Sequence, residues 1–187
     1  PHEAGDDHDV DALRALLEHE CAVGVGETGL DFYREYAPHD RRRALFERQL
    51  DLARELELPV VIHNRAADGD VVDALTRFEG DVVLHCFSSP AMLPAALERG
   101  YYVSFAGNVT YRNAADLRVA AAVVPRERLL VETDAPYLSP QPRRGRPNEP
   151  ANVVHTLAAV AAARKEDPAE LERRIDANAA AVFRLPA

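Results

Sequence analysis

The hydrophobic and polar positions of this chain follow two alternating patterns. Short apolar runs bounded by turn residues predict β-strands, and longer segments with apolar residues at helical spacing predict α-helices. The predicted strands cover residues 21–27, 58–63, 81–86, 101–105 and 128–134. The predicted helices cover residues 9–20, 40–57, 70–78, 113–124, 149–164 and 168–177, and a further helix begins after residue 89. Strands that alternate with helices form parallel βαβ units.

Local signals at the start of three helices support these boundaries. Asp40 is a candidate N-cap for the helix over 40–57. Ser89 followed by Pro90 has the order of an N-cap and a first-turn proline. Asp167 and Glu170, with a proline between them, have the spacing of a capping motif. We therefore expect helices to begin at these positions.

The strands are apolar along their whole length, which is typical of a parallel sheet covered on both faces. A (β/α) barrel and an open doubly wound sheet both fit this pattern. A chain of 187 residues is long enough for one domain with a core. No apolar run reaches the roughly 18 residues that a membrane-spanning helix needs, so we expect no membrane segment.

The charge and the cysteine content of the chain limit its possible substrates and cellular compartment. The net charge of −9 repels polyanions, so a nucleic-acid substrate would need local positive charge from a basic loop, bound metal or both. Cys21 and Cys86 are the only cysteines, which gives no disulfide framework and is typical of the reducing cytoplasm.

Four side chains that commonly ligate metals end four of the predicted strands: Glu27, His63, His85 and Asp134. The carboxyl ends of parallel strands lie at one edge of the sheet, where α/β folds carry their chemistry. We therefore expect the four to share a metal site. Histidine and carboxylate ligands without thiolate suit Zn²⁺ or Mn²⁺, and suit Mg²⁺ less well.

Alternation along a strand places residue i−2 on the same side as residue i. It predicts a dry layer of Val25, Val61 and Val83 beneath the ligands. Glu132 breaks this layer, so we interpret it as a carboxylate that orients a ligand or the catalytic water. The same alternation turns Cys86 toward the helical layer, where it would be a small buried side chain.

Arginines near these strand ends are candidate phosphate ligands, because guanidinium groups suit phosphate oxygens. Arg65 lies two residues beyond His63. Three more arginines lie in the loop that follows Asp134: Arg143, Arg144 and Arg146. A surface ion pair for Arg65 and a solvated loop for the other three remain the alternatives.

Five segments together resemble the TatD-type metal-dependent deoxyribonucleases, a family of amidohydrolase-like barrels. The segments are VGETGLDFY (25–33), LPVVIHNR (58–65), VVLHCFSS (82–89), YVSFAGNVT (102–110) and LLVETDAPYLSPQPRRGRPNEP (129–150). They occur in order over nearly the whole chain. The resemblance implies a (β/α)₈ TIM barrel with a divalent-metal centre.

By the same resemblance, Glu27 matches a glutamate that bridges two metal ions, and His63 and His85 match histidines on one of them. Asp134 matches an aspartate near the other ion that handles the proton of the nucleophilic water. The family's first strand carries a His-x-His motif, and none occurs here at a strand end. Pro1-His2-Glu3 resembles the tail of the third strand, so we expect one barrel domain over residues 1–187, N-terminally incomplete, with about five of the eight strands.

The function expected from these observations is hydrolysis of DNA phosphodiester bonds with two divalent metal ions, Zn²⁺, Mn²⁺ or Mg²⁺. Asp134 and Glu132 would act in catalysis, and the arginines would bind DNA. We expect a cytoplasmic enzyme with no obligate protein partner. Two alternatives remain open: a metal-dependent hydrolase of another ester or amide, such as D-aminoacyl-tRNA, and an inactive truncated barrel that only binds.

Overall fold

The computed structural model describes residues 10–35 and 37–186, and its centre is a five-stranded parallel sheet. The strands are β1 (Val25–Asp31), β2 (Val60–Arg65), β3 (Val82–Leu84), β4 (Tyr102–Phe105) and β5 (Leu129–Val131). Each pairs in parallel with the next along the chain. This sequential order, without a reversal, is that of a barrel rather than of a doubly wound sheet.

One helix precedes the first strand, and the others lie between successive strands and after the last. They are α1 (Val10–Leu17), α2 (His39–Glu55), α3 (Asp68–Leu75), α4 (Leu93–Glu98), α5 (Ala115–Val123), α6 (Val153–Arg164) and α7 (Pro168–Val182). Short 3₁₀ turns cover Pro90–Met92, Gly107–Thr110, Arg126–Arg128, Gln141–Arg143 and Pro150–Asn152. The predicted alternation of strands and helices is thus confirmed. No helix in the described ranges is long and apolar enough to cross a membrane.

The core lies between the sheet and the helices that cover it. Val60 and Ile62 of β2 and Phe105 of β4 are completely buried, and Phe46 of α2 is almost so. Asn178 of α7 donates hydrogen bonds to the backbone carbonyls of Arg126 and Leu129, before and at the start of β5. Apolar side chains thus pack the sheet against its helices, and α7 is also hydrogen-bonded to the segment that leads into β5.

Four of the five strands end at a different residue from the predicted one. The first strand starts later than expected and runs on to Asp31, and β2 runs on to Arg65. Glu27 and His63 therefore lie within strands, and their predicted position at strand ends is wrong. β3 and β5 are shorter than predicted, so His85 and Asp134 lie beyond their strands. Polar residues at these ends carry no apolar periodicity from which to place the boundary.

Of the three predicted helix caps, one is wrong, one is confirmed in position only, and one is confirmed. Asp40 lies in the first turn of α2, whose N-cap position is occupied by Pro38. Ser89 does occupy the N-cap position before Pro90, but it makes no capping hydrogen bond, and its hydroxyl donates to Asp68 Oδ2 at 2.5 Å. Asp167 Oδ1 does accept hydrogen bonds from the backbone N–H groups of residues 169 and 170, each at 3.0 Å.

Candidate metal centre

Glu27 lies in an irregular part of β1. Val25 is opposite Val60 and Thr28 is opposite Ile62, so β1 has one more residue than β2 over this stretch. An extra residue of this kind is a β-bulge, which redirects the side chains around it. The bulge also interrupts the strict alternation from which Val25 was predicted to lie beneath Glu27.

Two glycines allow β1 to run this close to β2. A Cβ atom at Gly26 would lie 2.7 Å from the Cβ of Val61. A Cβ atom at Gly29 would overlap the carbonyl oxygen of His63, and Gly29 has a φ of +114°. Neither position accepts a larger side chain without movement of the backbone. The sequence Gly-Glu-Thr-Gly therefore presents Glu27 next to His63.

The four predicted ligands lie close together. Glu27 Oε1 is 2.7 Å from His63 Nδ1 and 3.8 Å from His85 Nε2. His85 Nε2 is also 3.6 Å from Asp134 Oδ1. The ring centroids of the two histidines are 6.5 Å apart. Glu27, His63 and His85 offer donor atoms within 4.8 Å of one another, a group that could hold one metal ion.

Glu132 holds the imidazole of His85 in place. Its Oε1 lies 2.7 Å from His85 Nδ1, and its Oε2 accepts a short hydrogen bond from the Ser104 hydroxyl of β4. With Nδ1 engaged in this way, the other ring nitrogen of His85 faces Glu27 and Asp134. Carboxylates commonly orient metal-ligating histidines by this arrangement.

Asp31 is a further carboxylate of the cluster that the sequence patterns did not single out. It is completely buried at the end of β1, and its Oδ2 lies 3.3 Å from His63 Nε2. Its Oδ1 accepts hydrogen bonds from the backbone N–H groups of Tyr33 at 2.9 Å and Arg34 at 3.3 Å. The predicted strand ended at residue 27, so Asp31, four residues later, lay outside the strand ends from which candidate ligands were chosen.

Asn148 fixes the loop that carries Asp134. Its Nδ2 donates to the carbonyls of Thr133 and Tyr137, both at 2.7 Å, and its Oδ1 accepts from Asn152 Nδ2 at 2.9 Å. Asp134 has a φ of +57°, a conformation that non-glycine residues adopt at a cost. The buried Asn148 therefore stabilises a strained turn. The signal that could have pointed to it is its position as a polar residue within the segment 129–150, which carries the family resemblance.

Negative charge dominates the electrostatics of the cluster. The hydrogen bond from His63 lowers the pKa of Glu27, although burial opposes this. Burial raises the pKa of Asp134, and the charges of Glu132 and Glu27 raise it further. Burial alone would lower the pKa of His85, but the hydrogen bond to Glu132 and the surrounding carboxylates raise it to about 9. A cluster that favours added positive charge fits a divalent cation.

Cys86 lies closer to the cluster than predicted. β3 ends at Leu84, so strand alternation does not extend to Cys86, which has a φ of +46°. Its Sγ lies within 4.8 Å of donor atoms of His85 and Glu132, so the predicted orientation toward the helices is wrong. Burial raises the pKa of the thiol well above its usual range. The protonated thiol is a poor metal ligand.

The predicted phosphate-binding arginines lie outside this cluster. The guanidinium of Arg65 stacks on the ring of Tyr33, 3.8 Å from its centroid. The guanidinium of Arg144 lies over Tyr111 at 4.1 Å. The loop arginines are all exposed: Arg143, Arg144 and Arg146. Their role in binding stays a prediction. The predicted strand tail at Pro1-His2-Glu3 lies outside the described residues.

A sequential parallel βαβ sheet with a histidine–carboxylate cluster at its carboxyl edge is the arrangement of barrel-type metal-dependent hydrolases. The family described as TatD related DNase matches residues 1–184 of the chain. The chain belongs to this family, which confirms the predicted resemblance, the barrel fold class, and the class of metal-dependent hydrolase and nuclease.

Individual relatives agree with this assignment. The chain is 43% identical over 189 residues to the uncharacterized metal-dependent hydrolase TatD of Mycobacterium tuberculosis H37Rv, covering 94% of this chain and 71% of the relative. It is 40% identical over 184 residues to the 3'-5' ssDNA/RNA exonuclease TatD of Erwinia billingiae, covering 94% and 70%.

Solved structures show the same fold. The TatD homologue YJJV of Escherichia coli K12 has a TM-score of 0.89 and 30% sequence identity, covering 97% of this chain and 72% of that one. A TatD-family hydrolase of Entamoeba histolytica has a TM-score of 0.85 at 20% identity, which supports the fold alone. The sequential sheet described above is thus part of a TIM barrel.

Proposed function

We propose that this chain hydrolyses phosphodiester bonds of single-stranded DNA, with RNA as a related substrate. The observation that carries the proposal is the convergence of Glu27, His63, His85 and Asp134 in a member of the TatD related DNase family. The relative of Erwinia billingiae is named a 3'-5' ssDNA/RNA exonuclease, which supports a single-stranded substrate. We assign residues 1–187 to a single domain of the barrel type.

The cluster fits two divalent ions, with Zn²⁺ and Mn²⁺ better suited than Mg²⁺ to a set that contains histidine. Glu27, His63 and His85 would hold one ion, because their donor atoms lie close together. Glu27 and Asp134, which both lie near Nε2 of His85, would contribute to a second. When bound, such ions lower the pKa of a water molecule and neutralise charge on the phosphate.

Residues of the chain would orient the metal ligands and the substrate, and one of them would deprotonate the attacking water. Asp134, whose side chain is 26% exposed, is accessible to water and would accept its proton. Glu132 would keep His85 in the required orientation. Arg65 and the loop arginines Arg143, Arg144 and Arg146 would bind the phosphates of DNA, which offsets the net charge of −9 near the site. Both described cysteines are free, which supports a cytoplasmic location.

Removal of metal tests this function. Protein dialysed against a chelator should not cleave a fluorescent single-stranded oligonucleotide, and activity should return with Mn²⁺, Zn²⁺ or Mg²⁺. The same preparations should be assayed on duplex DNA, on D-aminoacyl-tRNA and on simple esters and amides. Metal-dependent turnover of an ester or amide, with none of any nucleic acid, would contradict the proposal. Cleavage that persists in the chelator would contradict the metal requirement.

A further inference from the structure

Two tyrosine rings stand out by their exposure at the carboxyl edge of the sheet. Tyr33 is 65% exposed and Tyr137 is 70% exposed, whereas Tyr101 and Tyr102 are 6% and 7% exposed. A single exposed apolar side chain needs no explanation. Both tyrosines follow members of the cluster closely in the chain: Tyr33 lies two residues after Asp31 of β1, and Tyr137 lies three residues after Asp134.

Hydrogen bonds to Asp31 and Asp134 hold the backbone of both tyrosines in place. The N–H of Tyr33 donates to Asp31 Oδ1 at 2.9 Å. The N–H of Tyr137 donates to the carbonyl of Asp134 at 2.8 Å, and its own carbonyl accepts from Asn148 Nδ2 at 2.7 Å. An exposed ring on a fixed backbone can bind a planar partner at little cost in conformational entropy.

Arg65 adds a second feature to the Tyr33 ring. Its guanidinium lies over the ring, 3.8 Å from the centroid, and Tyr33 remains 65% exposed with Arg65 in place. Much of this tyrosine is therefore accessible to a ligand. Within the described ranges no carboxylate lies at ion-pair distance from Arg65, so its charge is not neutralised by a neighbouring acid.

We infer that Tyr33 and Tyr137 stack on unpaired bases on either side of the phosphate that the centre cleaves, an inference that rests on the proposed function. Aromatic rings bind bases of single strands through stacking, and a basic group beside the ring attracts the backbone. β1 and β5 are the outer strands of the described sheet, so the segments that carry the two tyrosines follow strands on opposite sides of the row of ligands. Bases paired within a duplex do not offer their faces, so the two rings would select single strands.

Binding of two matched probes tests the inference. The probes are a fluorescent oligothymidylate and an abasic strand of the same length, which has the same phosphates and no bases. Fluorescence anisotropy with the full chain should show that Tyr33→Ala and Tyr137→Ala each weaken oligothymidylate binding about five-fold to a hundred-fold. Binding of the abasic strand should change by less than about two-fold, since its phosphate contacts remain. Tyr33→Phe and Tyr137→Phe should keep near-normal affinity.

Val119→Ala is the control, because Val119 is 65% exposed on α5 and takes no part in the centre. Equal losses on both probes, or unchanged oligothymidylate binding in both alanine variants, would overturn the inference. Anisotropy requires no turnover, so it decides the stacking question by itself. If the wild-type chain bound the strand through these rings but cleaved no nucleic acid with any metal, the proposed function would fail. The placement of the bases around a cleaved phosphate would fail with it, and only the stacking of bases on the two rings would stand.

Discussion

Asp134 combines an unusual backbone conformation with a central position in the cluster. Its φ of +57° is one that asparagine also tolerates. Asp134→Asn therefore removes the charge and the proton acceptor with almost no change of shape. We expect turnover of single-stranded DNA to fall by about 10²- to 10⁴-fold, the usual contribution of a general base. The thermal unfolding midpoint should stay within experimental error. Near-normal turnover in this variant would contradict the assigned role, and Asp116→Asn on α5 is the control.

Glu132 is a second residue with an individual role, which it performs through its contact with His85. Glu132→Gln keeps a hydrogen-bond acceptor but removes the charge that holds the imidazole. Loss of such a partner typically costs about 10- to 100-fold in metal affinity. Isothermal titration with Mn²⁺ should show this loss, whereas Glu98→Gln on α4 should bind as the wild type does. Equal affinities for the two variants would mean that Glu132 does not position a ligand.

At the scale of the element, the bulge in β1 determines whether Glu27 reaches His63. Gly29→Ala would place a Cβ atom on the His63 carbonyl oxygen at a φ of +114°, so β1 or β2 must move. We expect a loss of about 1–3 kcal/mol in the free energy of unfolding, the usual cost of such backbone strain. Gly69→Ala in α3, where nothing lies within 4 Å, should instead stabilise by about 0.5–1 kcal/mol. Urea unfolding measures both, and the same sign for both variants would contradict this view of β1.

At the scale of the whole molecule, the alternation of strands and helices followed from local patterns, because each strand and helix carries its own periodicity. The choice of a barrel over an open sheet came from the family resemblance. The candidate ligands followed from residue type and position, although Glu27 and His63 lie inside longer strands. Asp31 and Asn148 were missed for a physical reason. Their roles arise from contacts with residues distant in the chain, Asp31 with His63 and Asn148 with Thr133. Neither contact leaves a periodic signal in the sequence.

The central claim is that Glu27, His63, His85 and Asp134 form one metal centre. Metal content measured by mass spectrometry after equilibration with Mn²⁺ and removal of free ion tests it most directly. The account predicts bound metal in the wild-type chain and its loss in the double variant His63→Ala/His85→Ala. The double variant His19→Ala/His155→Ala is the control for nonspecific binding, because His19 is exposed, His155 is half-buried and neither belongs to the cluster. Metal retained in equal amount by the His63 and His85 variant would contradict the account, and so would a wild-type chain that binds none.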